Sequence, residues 1–259
     1  MFKARTILRG VIAVICIFPV LLLLLLSVSK NWVFPSVLPQ RYTPENWLEL
    51  LRGNSVAISL LVSVAIALLV ALVSTVAGFI TSQLIAYHAK RKYLLLLAYL
   101  PFVLSPVILA VCLKYYFNIL NIAGTIFGVV LAQMIIAFPY CIIFFIGFWN
   151  QRIRQYQELV NTLGGNNYYA FNKIILPIAK PMLLVCFFQS FLISWFEYGL
   201  TSVIGYGKVQ TLTIKVYQFL TEANIFYAAL SCCLLIIPPV LLLWVNKKFV
   251  FREERSSEL

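Results

Sequence analysis

Few residues in this 259-residue chain could do chemistry, and most of them sit where water is scarce. Glu197 is the one acid inside a long apolar run, within Trp195-Phe196-Glu197-Tyr198. Gln133, Gln189 and Ser190 add polar groups to the same and neighbouring runs. An ionisable group in such a place is costly and marks a solute path or a specific partner. The chemistry on offer is recognition rather than catalysis. The chain has no Asp at all, and its lone His88 stands beside Lys90-Arg91-Lys92, where a solvated histidine is expected. Cys16, Cys112, Cys141, Cys186, Cys232 and Cys233 all lie in apolar runs, with neither disulfide nor zinc-ligand spacing. Paired acids, a metal cluster and an activated nucleophile are all missing, so an intramembrane enzyme has no support. Gln133, Gln189, Trp195, Glu197 and Tyr198 are candidates to line a solute path, and a carboxylate among aromatic rings suits a cationic solute. Helix–helix hydrogen bonds are the alternative for Gln133 and Ser190. For Glu197 the alternative is a place near the outer end of its run, in water or paired with a base such as Lys208.

The elements that must position these groups are membrane spans. With 63% hydrophobic and 11% charged residues, the chain is no ordinary soluble domain. A bilayer crossing takes roughly 20 apolar residues. Six runs qualify, at about 7–28, 55–86, 94–113, 125–149, 182–204 and 225–245. They predict an all-α membrane protein, a single transmembrane domain over 1–259. The first run is too long for a signal peptide and lacks a small-residue cleavage site, so it should stay as a span. The 55–86 run exceeds one crossing and should tilt or protrude. Its Ser55, Ser59, Ser63, Ser74, Thr75 and Gly78 predict close packing inside a bundle. Pro101 and Pro106 should kink or unwind the third run, and Pro139 should break the fourth. Between the first two runs, Thr43-Pro44-Glu45 predicts the start of a short surface helix. The 205–224 segment suits a reentrant or surface-lying stretch, and the polar end after Asn246 a disordered tail.

The net charge of +12 is a topology signal. With both ends in the cytoplasm, the inside loops hold Lys3, Arg5, Arg9, Lys90, Arg91, Lys92, Arg152, Arg154, Lys173, Lys180, Lys247, Lys248, Arg252 and Arg255, which is 14 of the 20 basic residues. The positive-inside rule therefore predicts cytoplasmic termini. Basic residues spread over four loops form no nucleic-acid face.

The same rule puts the longest polar interruption, 150–181, in the cytoplasm. Ile153, Tyr156, Leu159, Val160 and Leu163 recur at helical spacing there. Gly164 and Gly165 can adopt the left-handed conformation that ends a helix. Asn166 can cap a second helix with a stripe through Tyr169, Ile174 and Ile175, and Pro177 is expected to stop it at Leu176. An apolar stripe outside the membrane needs a partner to bury it. No Gly-x-x-x-x-Gly-Lys-Ser/Thr motif occurs, so ATP hydrolysis, if used, belongs to another chain.

Glu158, Gly164, Ile174 and Leu176-Pro177, in that order in a cytoplasmic loop, resemble the signature loop of type I ABC importer permeases, most closely those of the spermidine/putrescine kind. Leu159-Val160 stands where the family's loop has Ala-Ala. Asn54-Ser55, Leu100-Pro101, Pro106-Val107, Phe138-Pro139-Tyr140, Trp195-Phe196-Glu197-Tyr198 and Thr211-Leu212 extend the likeness over nearly the whole chain. The resemblance implies a six-span permease in a bacterial inner membrane, forming half of a solute path. The 153–177 loop would dock on an ATPase. Glu158 would anchor the joint, Gly164 would permit its turn, and Tyr156, Leu159, Val160, Tyr168, Phe171, Ile174, Leu176 and Pro177 would complete the coupling surface. Two ATPase subunits carrying the ATP and Mg, a second and distinct permease and an extracytoplasmic binding protein would complete the importer, with no cofactor in this chain. The solute would be small and polar or cationic, such as a polyamine; ferric-ion, thiamine, phosphonate and sugar relatives share the scaffold. A stand-alone channel or secondary transporter is the alternative class, opposed by the scarcity of intramembrane charge.

Overall fold

The computed structural model describes residues 2–30, 41–42, 47–48, 53 and 55–249, excepting the side chains of 2–13, 16, 30, 41, 243 and 245–249. In chain order the elements are α1 (Phe2–Val28), β1 (Ser29–Lys30), β2 (Arg41–Tyr42), α2 (Ser55–Ala86), α3 (Arg91–Val103), α4 (Pro106–Ile119), α5 (Ile126–Phe145), α6 (Gln151–Thr162), α7 (Asn167–Ala170), a π turn (Phe171–Ile175), α8 (Leu176–Trp195), α9 (Gly199–Gly205), α10 (Leu212–Thr221) and α11 (Ile225–Phe249). The fold is that of an all-α membrane protein. Ser55–Ala86, Ile126–Phe145, Asn167–Trp195 and Ile225–Leu242 are each long and apolar enough to cross a bilayer. The pair α3–α4 is a fifth if counted as one broken span; it bends by 99° between Pro101 and Pro106, where the prolines predict a break. Of the first run, Ile17–Val28 stands as a shorter apolar helix among the described residues. The surface helix expected from Thr43-Pro44-Glu45 and the tail beyond 249 fall outside the described residues.

The chain divides into two compact units, and the division falls within α2, where nothing in the composition changes. One unit is Met1–Val62 with Thr211–Leu241. It holds the antiparallel ribbon that pairs Ser29 with Tyr42. The hydroxyls of Ser27 and Ser29 donate back to the carbonyls of Leu24 and Leu26, so neither is left unsatisfied in apolar surroundings. Thr211 caps α10, and Phe219 of α10 packs on Tyr227 of α11 at 5.7 Å.

The other unit, Ser63–Gln210 with Leu242–Leu259, carries every candidate site residue. Ser74 and Thr75 of α2 are buried, as the small-residue pattern requires, and so is Ser82. Gly78 shows why. A Cβ there would lie 2.4 Å from Cys141 Cβ on α5, so the two backbones touch. Gly78→Leu should therefore destabilise the unit by at least the ~1–3 kcal/mol typical of overpacking. A thermal unfolding curve unchanged from that of the unsubstituted chain would contradict this contact.

Two proline expectations need correction. Pro139 lies inside an unbroken α5. Neighbouring helices in a bundle re-satisfy the carbonyl that such a proline frees. Pro177 does not stop the second loop helix either: Leu176 is helical (φ −61°, ψ −43°), and the chain runs on as α8. The reason is local. Leu176 N–H donates to Phe171 O, five residues back, and this widened π turn relieves the clash a proline ring makes with the carbonyl four residues earlier. Asn167–Trp195 is thus one continuous helical path from loop to membrane. The fifth span also shifts, to Leu176–Trp195 rather than 182–204, and Gly199–Gly205 is a separate helix.

Candidate functional site

Two places in the larger unit gather the candidate residues: the break between α8 and α9, and the loop 150–181.

At the break, Glu197 precedes α9 and takes over its first N–H groups. Its Oε1 accepts from Leu200 N–H at 2.7 Å, and its Oε2 from Thr201 N–H at 2.9 Å and Thr201 O–H at 2.8 Å. A carboxylate has about four lone-pair sites, and three bonds come from one short helix. The network continues into α5. The Gln133 amide donates to Thr201 Oγ1 at 2.9 Å and accepts from the Ser194 hydroxyl of α8. Gln133 is only 3% exposed, and Thr201 is fully buried. Every donor thus points along one chain, Ser194 to Gln133 to Thr201 to Glu197. For Gln133 and Ser190 the helix–helix alternative is the one the geometry carries, since Ser190 Oγ lies 3.1 Å from Cys141 Sγ. Trp195 is buried and stacks on Phe191 at 5.7 Å. Gln189 is half-buried and accepts from the Tyr140 hydroxyl at 2.6 Å, tying α8 to α5. Tyr198, also half-buried, is the first-turn neighbour of Gly199, whose missing side chain lets α9 approach Val107 of α4.

Sequence reasoning missed two anchors at the far end of α9. Tyr206 takes a left-handed conformation at φ 50° and accepts from Asn118 Nδ2 at 2.9 Å. The Lys114 ammonium sits over its ring at 4.5 Å. The signal was the Gly205-Tyr206-Gly207 triplet, whose small neighbours permit an unusual backbone.

The loop is seated on the bundle by its own residues. Phe79, Phe145, Phe148 and Trp149 form an aromatic cluster with Ile153 of α6, Ile175 of the π turn and Ala179 of α8. Trp149 Nε1–H donates to Ser82 Oγ at 2.8 Å, fixing the cluster to α2. Phe171 packs against it, 6.1 Å from the Phe79 ring, so this candidate docking residue faces inward. Ile174 is half-buried, and Leu176 and Pro177 are exposed. The stripe of α6 therefore splits. Ile153 and Val160 are buried at 5% and 8%, whereas Tyr156, Leu159 and Leu163 are exposed, Leu159 at 57%. Tyr168 and Tyr169 on α7 are exposed as well, Tyr168 at 74%.

The glycine turn between α6 and α7 is a Schellman motif: Gly165 N–H donates to Val160 O at 2.9 Å and Gly164 N–H to Asn161 O at 3.2 Å. Gly164 carries the left-handed angle, φ +81°, with open space around it. Gly165 serves differently: a Cβ there would lie 2.4 Å from Val160 Cγ1. Val160, larger than the family's alanine, fits because Gly165 has no side chain. Asn166 caps α7, accepting from Tyr168 N–H at 2.5 Å. Glu158 pairs with Arg154 one turn back at 3.0 Å, both more than half exposed. The guanidinium lies 5.9 Å from the Tyr87 ring centre. Burial pushes the Tyr87 hydroxyl above its ordinary value of 10.0; the Arg154 charge pulls it down and the Glu158 charge pushes it up.

Among the described residues no group of three or more His, Cys, Asp or Glu is placed to hold a metal ion. The arrangement is a helix bundle with a polar break in one span and a two-helix loop presenting aromatic and aliphatic side chains to water.

Residues 74–251 match the family model described as the binding-protein-dependent transport system inner membrane component. The chain is 26% identical over 222 residues to a probable sulfate transport system permease protein, cysT, of Chlorella vulgaris, covering 78% of this chain and 84% of that one. It is 26% identical over 176 residues to the spermidine/putrescine transport system permease protein PotC of Haemophilus influenzae, with 67% and 68% covered. It is 25% identical over 245 residues to the diacetylchitobiose uptake system permease protein NgcG of Streptomyces coelicolor, with 90% and 80% covered. The family match takes in α5, the whole loop and α8–α11. This chain belongs to the inner membrane components of binding-protein-dependent transport systems, the permeases of type I ABC importers.

Proposed function

We propose that this chain is one permease half of an ATP-driven importer and that α6 and α7 are its joint to a separate ATPase. The observation that carries this reading is the outward apolar set Tyr156, Leu159, Leu163, Tyr168 and Tyr169 on two helices whose other exposed residues are polar. The loop's own inner residues are already buried, so the outward set is not spare core. It is a surface for a groove of a second protein, read as helix-in-groove contacts. Because Asn167–Trp195 is continuous, a push on α7 is passed along one helix to the α8–α9 break. ATP and Mg belong to the partner ATPase in this reading. A distinct second permease would supply the other half of the path, and an extracytoplasmic binding protein would deliver the solute. The excess of basic residues on the loop side supports a bacterial inner membrane with both termini in the cytoplasm.

A small polar compound is the solute class that the relatives' names support. The relatives are named for an anion, polyamines and a sugar, and PotC alone among them favours a cation. A polyamine preference gains little from Glu197, whose oxygens are engaged by α9.

The test is affinity purification of the full-length tagged chain from its native membrane in mild detergent. An ATPase subunit should come with it in stoichiometric amount, and Leu159→Asp/Tyr168→Asp should lose that subunit while staying in the membrane. Recovery of the chain without any ATPase, under conditions that keep it folded, would favour a stand-alone transporter.

A further inference from the structure

A cleft of about 390 Å³ opens between the α2–α3 turn and the start of α6. Tyr87, His88, Arg91, Trp149, Asn150 and Arg154 line it, and no acid does. Its floor is fixed, because Trp149 is held by Ser82 and meets the Tyr87 ring edge-to-face at 6.3 Å. Arg154 is held at its mouth over Tyr87. The Arg154–Glu158 bond uses Nε, and among the described residues no acceptor is bonded to the two terminal nitrogens. In the first turn of α6, Asn150 takes the N–H groups of Ile153 and Arg154. Those of Gln151 and Arg152 have no intrahelical partner. Two guanidinium groups and the first residue of α6, Gln151, at one cavity match a tetrahedral oxyanion. The cleft also begins where the apolar α2 ends, at Ala86.

We propose that this cleft binds a phosphate group, with Arg91 and Arg154 as its charged clamps, and that the group holds the start of α6 against the end of α2. The inference rests on the proposed permease reading for its placing of this end of the bundle on the cytoplasmic face. Two sources offer the same chemistry: the headgroup of an anionic phospholipid in the inner leaflet, and a free phosphate in the cytoplasm. The lipid has the advantage of position, since basic residues at a membrane edge attract anionic headgroups.

Native mass spectrometry of the full-length chain, released from nanodiscs of equal phosphatidylglycerol and phosphatidylcholine, tests this without any ATPase. A negative result would leave the importer reading standing. One phosphatidylglycerol per chain should be retained in preference to phosphatidylcholine. Arg91→Gln/Arg154→Gln should lower that preference roughly ten- to thirtyfold, the effect of removing two basic residues at an anionic surface. Arg91→Lys/Arg154→Lys should keep most of it, which separates lost charge from a misfolded loop. In pure phosphatidylcholine discs, added inorganic phosphate forms the second arm. If phosphate binds there and the Gln pair abolishes it, while no lipid preference is seen, the site is for a free anion. Equal retention of phosphatidylglycerol by the unsubstituted chain and the Gln pair, or no preference for either anion, overturns the proposal.

Discussion

Glu197→Leu is expected to lower the melting temperature of the detergent-solubilised chain by about 6–12 °C and to abolish uptake of any solute the importer carries. The estimate follows from what leucine leaves behind. Leu200 N–H, Thr201 N–H and Thr201 O–H would lose their acceptor together, and Thr201 is fully buried. An orphaned buried donor costs ~1–3 kcal/mol, so a loss of roughly 3 kcal/mol is conservative. At about 2–4 °C per kcal/mol for a chain of this size, that gives the stated shift. Glu197→Gln should fall between the two, because it keeps one carbonyl oxygen and turns an N–H₂ toward the other donors. The uptake pattern separates anchoring from solute contact. An anchor of α9 predicts equal fractional losses for a polyamine and for an uncharged solute in carriers that take each. A ligand for cations predicts a loss confined to the polyamine. Glu197→Leu with an unshifted melting curve would overturn the anchoring role.

That prediction also marks where the sequence is a poor guide. The long even runs were legible: α2 occupies 55–86 as the apolar pattern requires, and α5 lies within 125–149. The Pro101–Pro106 break and the Gly164 turn were legible too, because each rests on a local backbone preference that no distant contact is needed to express. The α8–α9 break was not. Apolar residues continue through Phe196, no proline or glycine precedes the break, and the signal is the carboxylate itself, which takes over the N–H groups of a new helix. An acid in a membrane run reads as a solute ligand when its partners are unknown. Pro177 misled for the opposite reason. Its effect depends on whether the preceding turn is α or π, and residue spacing does not carry that difference. The stripe on α6 was correctly periodic but wider than one contact face, so half of it belongs to the bundle and half to the outside. Only packing divides it.

The second large effect belongs to Glu158, the polar neighbour of Leu159 in that outward half. Glu158→Lys should reduce uptake to background while barely moving the melting temperature. The folding side of this is small because Arg154–Glu158 is a solvent-exposed i,i+4 pair, a kind typically worth ~0.3–0.5 kcal/mol. Reversal adds repulsion of about the same size. The functional side is large if α6 and α7 meet an ATPase, since a lysine placed in a docking groove would have to be desolvated without a partner, which costs several kcal/mol. The two glycines beside it give the control. Gly164→Asp puts a tolerant residue at φ +81° with free space around it, at a local cost of about 1–2 kcal/mol, so the loop should keep its shape. Gly165→Leu drives a side chain into Val160 and should unseat α7 from α6. Uptake should therefore fail in Glu158→Lys with the loop intact, and in Gly165→Leu with the loop displaced. Trypsin cleavage at Arg152, Arg154 and Lys173 reports the loop in the glycine variants, being unchanged in Gly164→Asp and faster in Gly165→Leu. ATPase co-purification should be lost in both Glu158→Lys and Gly165→Leu. Full uptake by Glu158→Lys would mean that this face of α6 carries no load between the ATPase and the spans.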